Sequence, residues 1–200
     1  MPTIDHKDIT AIILAGGQGR RMGGEDKGLI QFDGKPIIEI LIEKLKQQQI
    51  EIIINANRNH AQYQSYGLPV ISDELENFQG PLAGFATAMK SVSTDYILTL
   101  PCDGPFLAGN FVDLFIETQA NTQSPICVAD DGERLQPVYA LIDTGLITSL
   151  TDFLERGDRK IDRWYAQHDY SRVDFSNQKN MFGNINRPED RQTLLDIKDQ

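Results

Sequence analysis

The sequence predicts an α/β fold in which a mostly parallel sheet is covered by helices. Three observations carry that expectation. Short apolar runs ending in glycine or polar residues recur in the first half, at residues 9–14, 50–54 and 96–100, as strands buried on both faces do. Between the first two, apolar residues fall at helical spacing, at Ile37, Ile38, Leu41, Ile42 and Leu45. Strand and helix therefore alternate, which builds parallel strands joined by helical crossovers.

Taken in order, residues 9–14 run into Ala15-Gly16-Gly17, a strand entering a glycine loop that extends to about Gly28. The helix after Pro36 is separated by Gln47-Gln48-Gln49 from a strand over 50–54. A weak helix precedes Gly67, a short strand covers 69–71, a helix runs from about Pro81 to Ser91, and a strand covers 96–100. The second half is less regular. A helix is predicted over 110–119, and strands over 126–129 and 137–142 are joined across the polar Asp130-Asp131-Gly132-Glu133 turn. So short a connection makes them antiparallel. Thr144 is placed to cap a helix reaching Arg156, a further strand is expected over 170–175, and Pro188 starts a terminal helix through Ile197. No linker rich in Gly, Pro or Ser divides the chain, so one domain is expected over residues 1–200.

A chain of 200 residues buries about 70% of its unfolded surface, enough to fold without staples. Its 29 acidic and 19 basic residues give a net charge of −10, which repels a phosphate backbone, and no Lys/Arg-rich run offsets it. Nucleic acid is therefore not an expected partner. The first eight residues hold no apolar signal core, and no apolar run approaches the roughly 20 residues that span a bilayer. A cytoplasmic location without a membrane partner is expected. Cys102 and Cys127 lack C-x-x-C spacing and His6, His60 and His168 are scattered, so no structural zinc or redox motif is expected, only two reduced cysteines near the core.

The most informative segment runs from Leu14 to Gly28, with six glycines in fifteen residues directly after a strand. Such a loop lets backbone N–H groups approach an anion closely. It is not a Walker A loop, because Gly34-Lys35 is followed by Pro36, and Gly17, Gly19 and Gly23 miss the G-x-G-x-x-G spacing. Between Gly17 and Lys35 four basic residues meet three acidic ones, a net +1 in a chain that is otherwise −11. A local positive site in an acidic protein suits a nucleoside triphosphate; the competing reading is a surface loop with solvated charges. Asp103, just past the end of a strand, stands where parallel sheets bind ligands and where a carboxylate holds Mg²⁺ against phosphate. Alone it would equally cap the following turn. Asn55 and Asp73 follow strands in the same way, and Gly80-Pro81-Leu82-Ala83-Gly84 opens a helix either as a simple turn or as backbone approaching a base or ribose. Phe111, Phe115, Trp164 and Tyr165 are expected in the core or at an interface rather than as a stacking platform.

These segments together resemble the molybdenum cofactor guanylyltransferases, within the wider GT-A-like nucleotidyltransferases. The resemblance rests on the loop from Leu14 to Gly28 with Gly34-Lys35-Pro36, then Asn55-Ala56-Asn57-Arg58, Ile71-Ser72-Asp73, Gly80-Pro81-Leu82-Ala83-Gly84, Pro101-Cys102-Asp103, Asp131-Gly132-Glu133-Arg134 with Pro137, and Asn184-Ile185-Asn186. It implies a single three-layer, Rossmann-like domain, with a nucleotide-binding half over about 9–105 and an acceptor-side half over about 106–197. It also implies Mg²⁺-dependent transfer of GMP from GTP to the phosphate of Mo-molybdopterin. Leu14, Ala15, Gly16, Lys27, Asn55, Asp73 and Asp103 would contact GTP, and Asp103 would also bind Mg²⁺. Lys27 would stabilise charge developing on the phosphates with help from Arg21 or Arg20, and Asn55 and Asp73 would share base and ribose. Residues 133–137 and 184–186 would shape the pterin side. A monomer is expected, with other molybdenum cofactor biosynthesis proteins or apo-molybdoenzymes as candidate partners. Gly104 departs from the resemblance, since relatives often carry Thr or another larger residue after the metal-binding Asp. Gly16-Gly17 favours guanine, since cytidylyltransferase relatives have Ala at the first of these. The rivals are a cytidylyl or sugar-phosphate enzyme of the same superfamily, and a GTP-binding module without turnover.

Overall fold

The computed structural model describes residues 4–17, 25–74, 80–187 and 189–198. Along the chain come β1 (Ile9–Leu14), β2 (Gln31–Phe32), β3 (Lys35–Pro36), α1 (Ile37–Gln47), β4 (Glu51–Asn55), α2 (His60–Gln64), β5 (Val70–Ile71) and α3 (Pro81–Ser91). Then follow β6 (Tyr96–Pro101), α4 (Phe111–Thr122), β7 (Ile126–Asp130), β8 (Leu135–Asp143), α5 (Ile147–Glu155), α6 (Ile161–Tyr165), β9 (Tyr170–Asp174) and α7 (Asp190–Lys198). A seven-stranded sheet has the order β5-β4-β1-β6-β8-β7-β9. Every neighbouring pair is parallel except those of β8, which runs antiparallel to both β6 and β7.

Strict alternation along the strands explains the continuous apolar runs. Ile9, Ala11 and Ile13 of β1 point into one core and Ile12 into the other; Leu98 and Leu100 of β6 face the first, Ile97 the second. Helices α1 and α4 cover the first face, through Ile37, Ile38 and Leu41 and through Phe111, Val112 and Phe115. Helices α3, α5 and α6 cover the second, through Phe85, Leu150 and Trp164. With helices on both sides each strand is sandwiched, and every second residue is apolar on each face. Cys102 and Cys127 are both buried free thiols, and burial pushes the Cys127 thiol up to about 12.

The winding positions the site. From β1 the chain steps outward to β4 and β5, and α3 then carries it back to place β6 on the other side of β1. At such a reversal the connections leave the carboxyl ends of the two central strands in opposite directions and open a crevice between them. Here the crevice lies beyond Leu14 and Pro101, which are register partners.

Several elements differ from expectation. The strand predicted over 50–54 starts one residue later, and α4 runs on to Thr122. Thr144 is not the cap: the Asp143 carboxylate accepts the N–H of Gly145 at 2.7 Å and starts a 3₁₀ turn that leads into α5, while the Thr144 hydroxyl donates to Asp95 O. The β2–β3 hairpin was not foreseen, although Asp33 (φ 49°) and Gly34 (φ 80°) supply the two left-handed residues of a tight turn. Helix α6 and the 3₁₀ segment Ser176–Phe182 were also unforeseen. Pro188, expected to open the last helix, lies outside the described residues. Among the described residues no helix is long and apolar enough to cross a membrane.

Strand β8 holds an irregularity that shapes the site. Its pairing with β7 jumps from Val128↔Ala140 to Ala129↔Gln136, and its pairing with β6 stops at Thr99↔Ala140. Pro137, Val138 and Tyr139 therefore bulge out of the ladder, at a proline that has no N–H to give it. The freed carbonyls keep partners: Thr99 Oγ1 donates to Val138 O at 2.7 Å and the Tyr165 hydroxyl to Pro137 O at 2.8 Å.

Candidate active site

A cavity of about 700 Å³ opens at the carboxyl ends of β4, β1 and β6. Leu14, Ala15, Gly16, Lys27, Asn55, Asp73 and Asp103, the seven expected ligand residues within the described part of the chain, all line it. Arg20 and Arg21 lie outside the described residues. Hydrogen bonds that continue the sheet past its strands bring these segments level: Ala15 N–H donates to Asn55 O, Cys102 N–H to Leu14 O and Ala56 N–H to Ile71 O. Gly16 and Gly17, which line the cavity, donate no N–H to another described residue.

Lys27 and Asp103 meet at the centre. Lys27 Nζ lies 3.0 Å from Asp103 Oδ2 and also donates to Asn186 Oδ1, which leaves one of its three N–H groups for a ligand. The other carboxylate oxygen, Asp103 Oδ1, is buried without a hydrogen-bond partner among the described residues. The C-terminal segment is fixed to this point, because Ile185 N–H donates to Asp103 O at 2.8 Å. Asp190 of α7 holds it from behind by accepting the N–H groups of Asn186 and Arg187.

Lys27 is aimed by its neighbour. Asp26, only 6% exposed, caps the 3₁₀ turn Lys27–Leu29 and accepts the Tyr63 hydroxyl at 2.6 Å and Asn59 Nδ2 at 2.9 Å. A buried carboxylate is tolerable because those donors, with the Arg58 guanidinium 3.5 Å away, replace its water. Neither Asp26 nor Asn57 was singled out from sequence, and their role is local support. Asn57 Nδ2 donates to Asp73 Oδ2 at 2.8 Å and its Oδ1 accepts the Asp73 N–H at 2.9 Å, while Asn55 Nδ2 donates to Asp73 Oδ1 at 3.0 Å. The Asp73 carboxylate is thereby fixed in orientation before any ligand arrives.

Opposite the Asn55 and Asp73 side, residues 136–139 of the β8 bulge and Asn184 and Asn186 form the second wall. The Asp130–Glu133 turn is a hairpin turn, as expected. Asp131 accepts the N–H groups of Glu133 and Arg134, and its other oxygen accepts Gln136 Nε2 at 2.7 Å. The Arg134 N–H, with those of Glu133 and Gln136, holds the Asp131 carboxyl below the usual range. Val138 and Tyr139 were missed in this wall; Pro137 inside a strand was the available sign of a bulge. Gly80, Pro81 and Gly84 at the start of α3 complete the rim, whereas Phe111, Phe115, Trp164 and Tyr165 are in the cores.

Residues 11–173 match the family model described as a MobA-like NTP transferase domain. A molybdenum cofactor guanylyltransferase of Shewanella sp. strain MR-4 is 49% identical over 186 residues, covering 93% of this chain and 94% of the relative. One from Shewanella piezotolerans is 46% identical, covering 93% and 91%. A solved structure of molybdopterin-guanine dinucleotide biosynthesis protein A from Archaeoglobus fulgidus superposes with a TM-score of 0.79 at 20% identity, covering 95% of this chain and 98% of that one, and so shares the fold.

Proposed function

The chain belongs to the MobA-like NTP transferase family, among the molybdenum cofactor guanylyltransferases, and from that premise we propose how its cavity divides the work. The reaction moves GMP from GTP to the phosphate of Mo-molybdopterin and releases pyrophosphate. The observation that carries the assignment of residues is the meeting of Lys27 and Asp103, 3.0 Å apart, in one cavity with Leu14, Ala15, Gly16, Asn55 and Asp73.

GTP lies across the strand ends. Asn55 and the pre-oriented Asp73 hold base and ribose, the backbone of Leu14, Ala15 and Gly16 approaches the nucleotide, and Lys27 faces the phosphates. The acceptor phosphate comes from the wall of residues 136–139 and 184–186. Its oxygen bonds to the α-phosphorus as the bond to the β-phosphate oxygen breaks. Positioning and charge stabilisation are what such a transfer requires of the protein. Lys27 supplies a charge tethered by Asp103 and Asn186, so little reorganisation is needed as phosphate charge shifts. Arg21 is proposed to assist from the loop.

Mg²⁺ is the proposed cofactor, held by Asp103. The buried Oδ1 of Asp103, without a hydrogen-bond partner among the described residues, fits it. Mg²⁺ is commonly bound by one or two carboxylates together with substrate phosphates. When bound, Mg²⁺ neutralises phosphate charge. The same proposal places the enzyme in the cytoplasm as a monomer, handing its product to other cofactor biosynthesis proteins or apo-molybdoenzymes.

Guanine is the proposed base, and Gly16 is the position at which a side chain would disturb the base side of the cavity. A Cβ there would stand 2.7 Å from Asn57 Nδ2, pressing on one of the amides that orient Asp73. The test is pyrophosphate release by purified protein given Mo-molybdopterin, Mg²⁺ and each triphosphate in turn. Turnover with GTP is expected; turnover with CTP and none with GTP would overturn the guanylyl assignment, and saturable GTP binding without product would favour a non-catalytic module.

A further inference from the structure

Gly104 follows Asp103 directly, and the space its side chain would need is already crowded. A Cβ at 104 would lie 3.1 Å from both Asn184 Oδ1 and Gly183 O, and 3.3 Å from the Tyr139 hydroxyl. The absence of a side chain at 104 therefore lets the phenol reach the metal-binding end of the cavity. Its direction is fixed from behind. Tyr139 is 4% exposed, and its ring packs edge-on against Phe111 and Phe182 at centroid distances of 6.2 and 5.1 Å.

Tyr139 sits in the β8 bulge, whose backbone is pinned by Thr99 and Tyr165. The hydroxyl itself makes no hydrogen bond to another described residue, yet it faces the cavity. Although the ring is buried, the hydroxyl is not among the buried unpartnered atoms, so it is open to the cavity and available to a ligand. A tyrosine hydroxyl is an O–H donor at neutral pH. A phosphomonoester dianion presents only acceptors, which is the partner such a donor needs.

We propose that the Tyr139 hydroxyl, admitted by Gly104, donates a hydrogen bond to a phosphate oxygen of the acceptor and holds that group for attack on the α-phosphorus. The proposal rests on the acceptor being a phosphate, as read above, and adds a residue that selects and positions it. Tyr139→Phe keeps the ring and its packing and removes only the donor. In steady-state assays of the full chain with GTP, Mg²⁺ and Mo-molybdopterin, kcat/KM for the acceptor is expected to fall about tenfold or more. The KM for GTP and the melting temperature are expected to stay at wild-type values. Unchanged constants for the acceptor overturn the proposal. A loss shared equally by GTP and acceptor, or one accompanied by a lowered melting temperature, also overturns it and makes Tyr139 a packing residue. Wild-type protein that forms no dinucleotide from these substrates defeats the guanylyltransferase reading itself, and the proposal with it.

Discussion

Asp103→Asn is expected to lower kcat/KM by about 10³-fold or more while leaving the fold intact. Asparagine is close in shape and still offers Lys27 one acceptor oxygen, while the ammonium loses its counter-charge and keeps the neutral Asn186 contact. What disappears is the negative charge on the oxygen that no described residue satisfies. Loss of several kcal/mol of charge stabilisation at about 1.4 kcal/mol per tenfold gives an effect of that size. Two measurements check it: turnover with GTP and Mo-molybdopterin, and Mn²⁺ titration in the presence of GTP, where affinity should fall in parallel. Wild-type rates in the variant would remove Asp103 from the site.

Lys27→Ala is expected to reduce kcat by about 10²–10³-fold, with a smaller rise in the KM for GTP. Binding energy spread over the glycine loop, Asn55 and Asp73 survives the change, whereas the tethered ammonium acts most where phosphate charge is redistributed. Arginine should not restore the rate. Its planar fork is bulkier than an ammonium, and the Asp103 and Asn186 contacts of Lys27 are built around a point charge. Unchanged kcat with an elevated KM would show that Lys27 contributes only ground-state binding.

The strand-end residues that line one side of the cavity were legible in the sequence because they obey a local rule. Leu14, Asn55, Asp73 and Asp103 each end or follow an apolar strand run, and in a parallel sheet those ends share one edge. The boundaries of β1 and α3 were equally plain, marked by the glycine loop and by Pro81. The wall proposed for the acceptor was not legible to the same degree. Residues 136–139 and 184–186 come together only because β8 inserts antiparallel beside β6 and the chain returns past β9 to dock Ile185 on Asp103. No periodicity records such a contact between distant segments. Placing the start of that strand at Pro137 hid the bulge, since the ladder begins at Leu135 and breaks at the proline. Asp26 and Asn57 escaped notice for a different reason: their work is to hold Lys27 and Asp73, and only the distances reveal it.

The most direct test of the central claim is a crystal structure of this protein with GTP and Mg²⁺. Guanine and ribose should lie against Asn55 and Asp73, with the phosphates between Lys27 and Asp103 and the wall at residues 136–139 left free for the acceptor. A nucleotide whose base occupies that wall, or whose phosphates lie away from Lys27 and Asp103, would contradict the account.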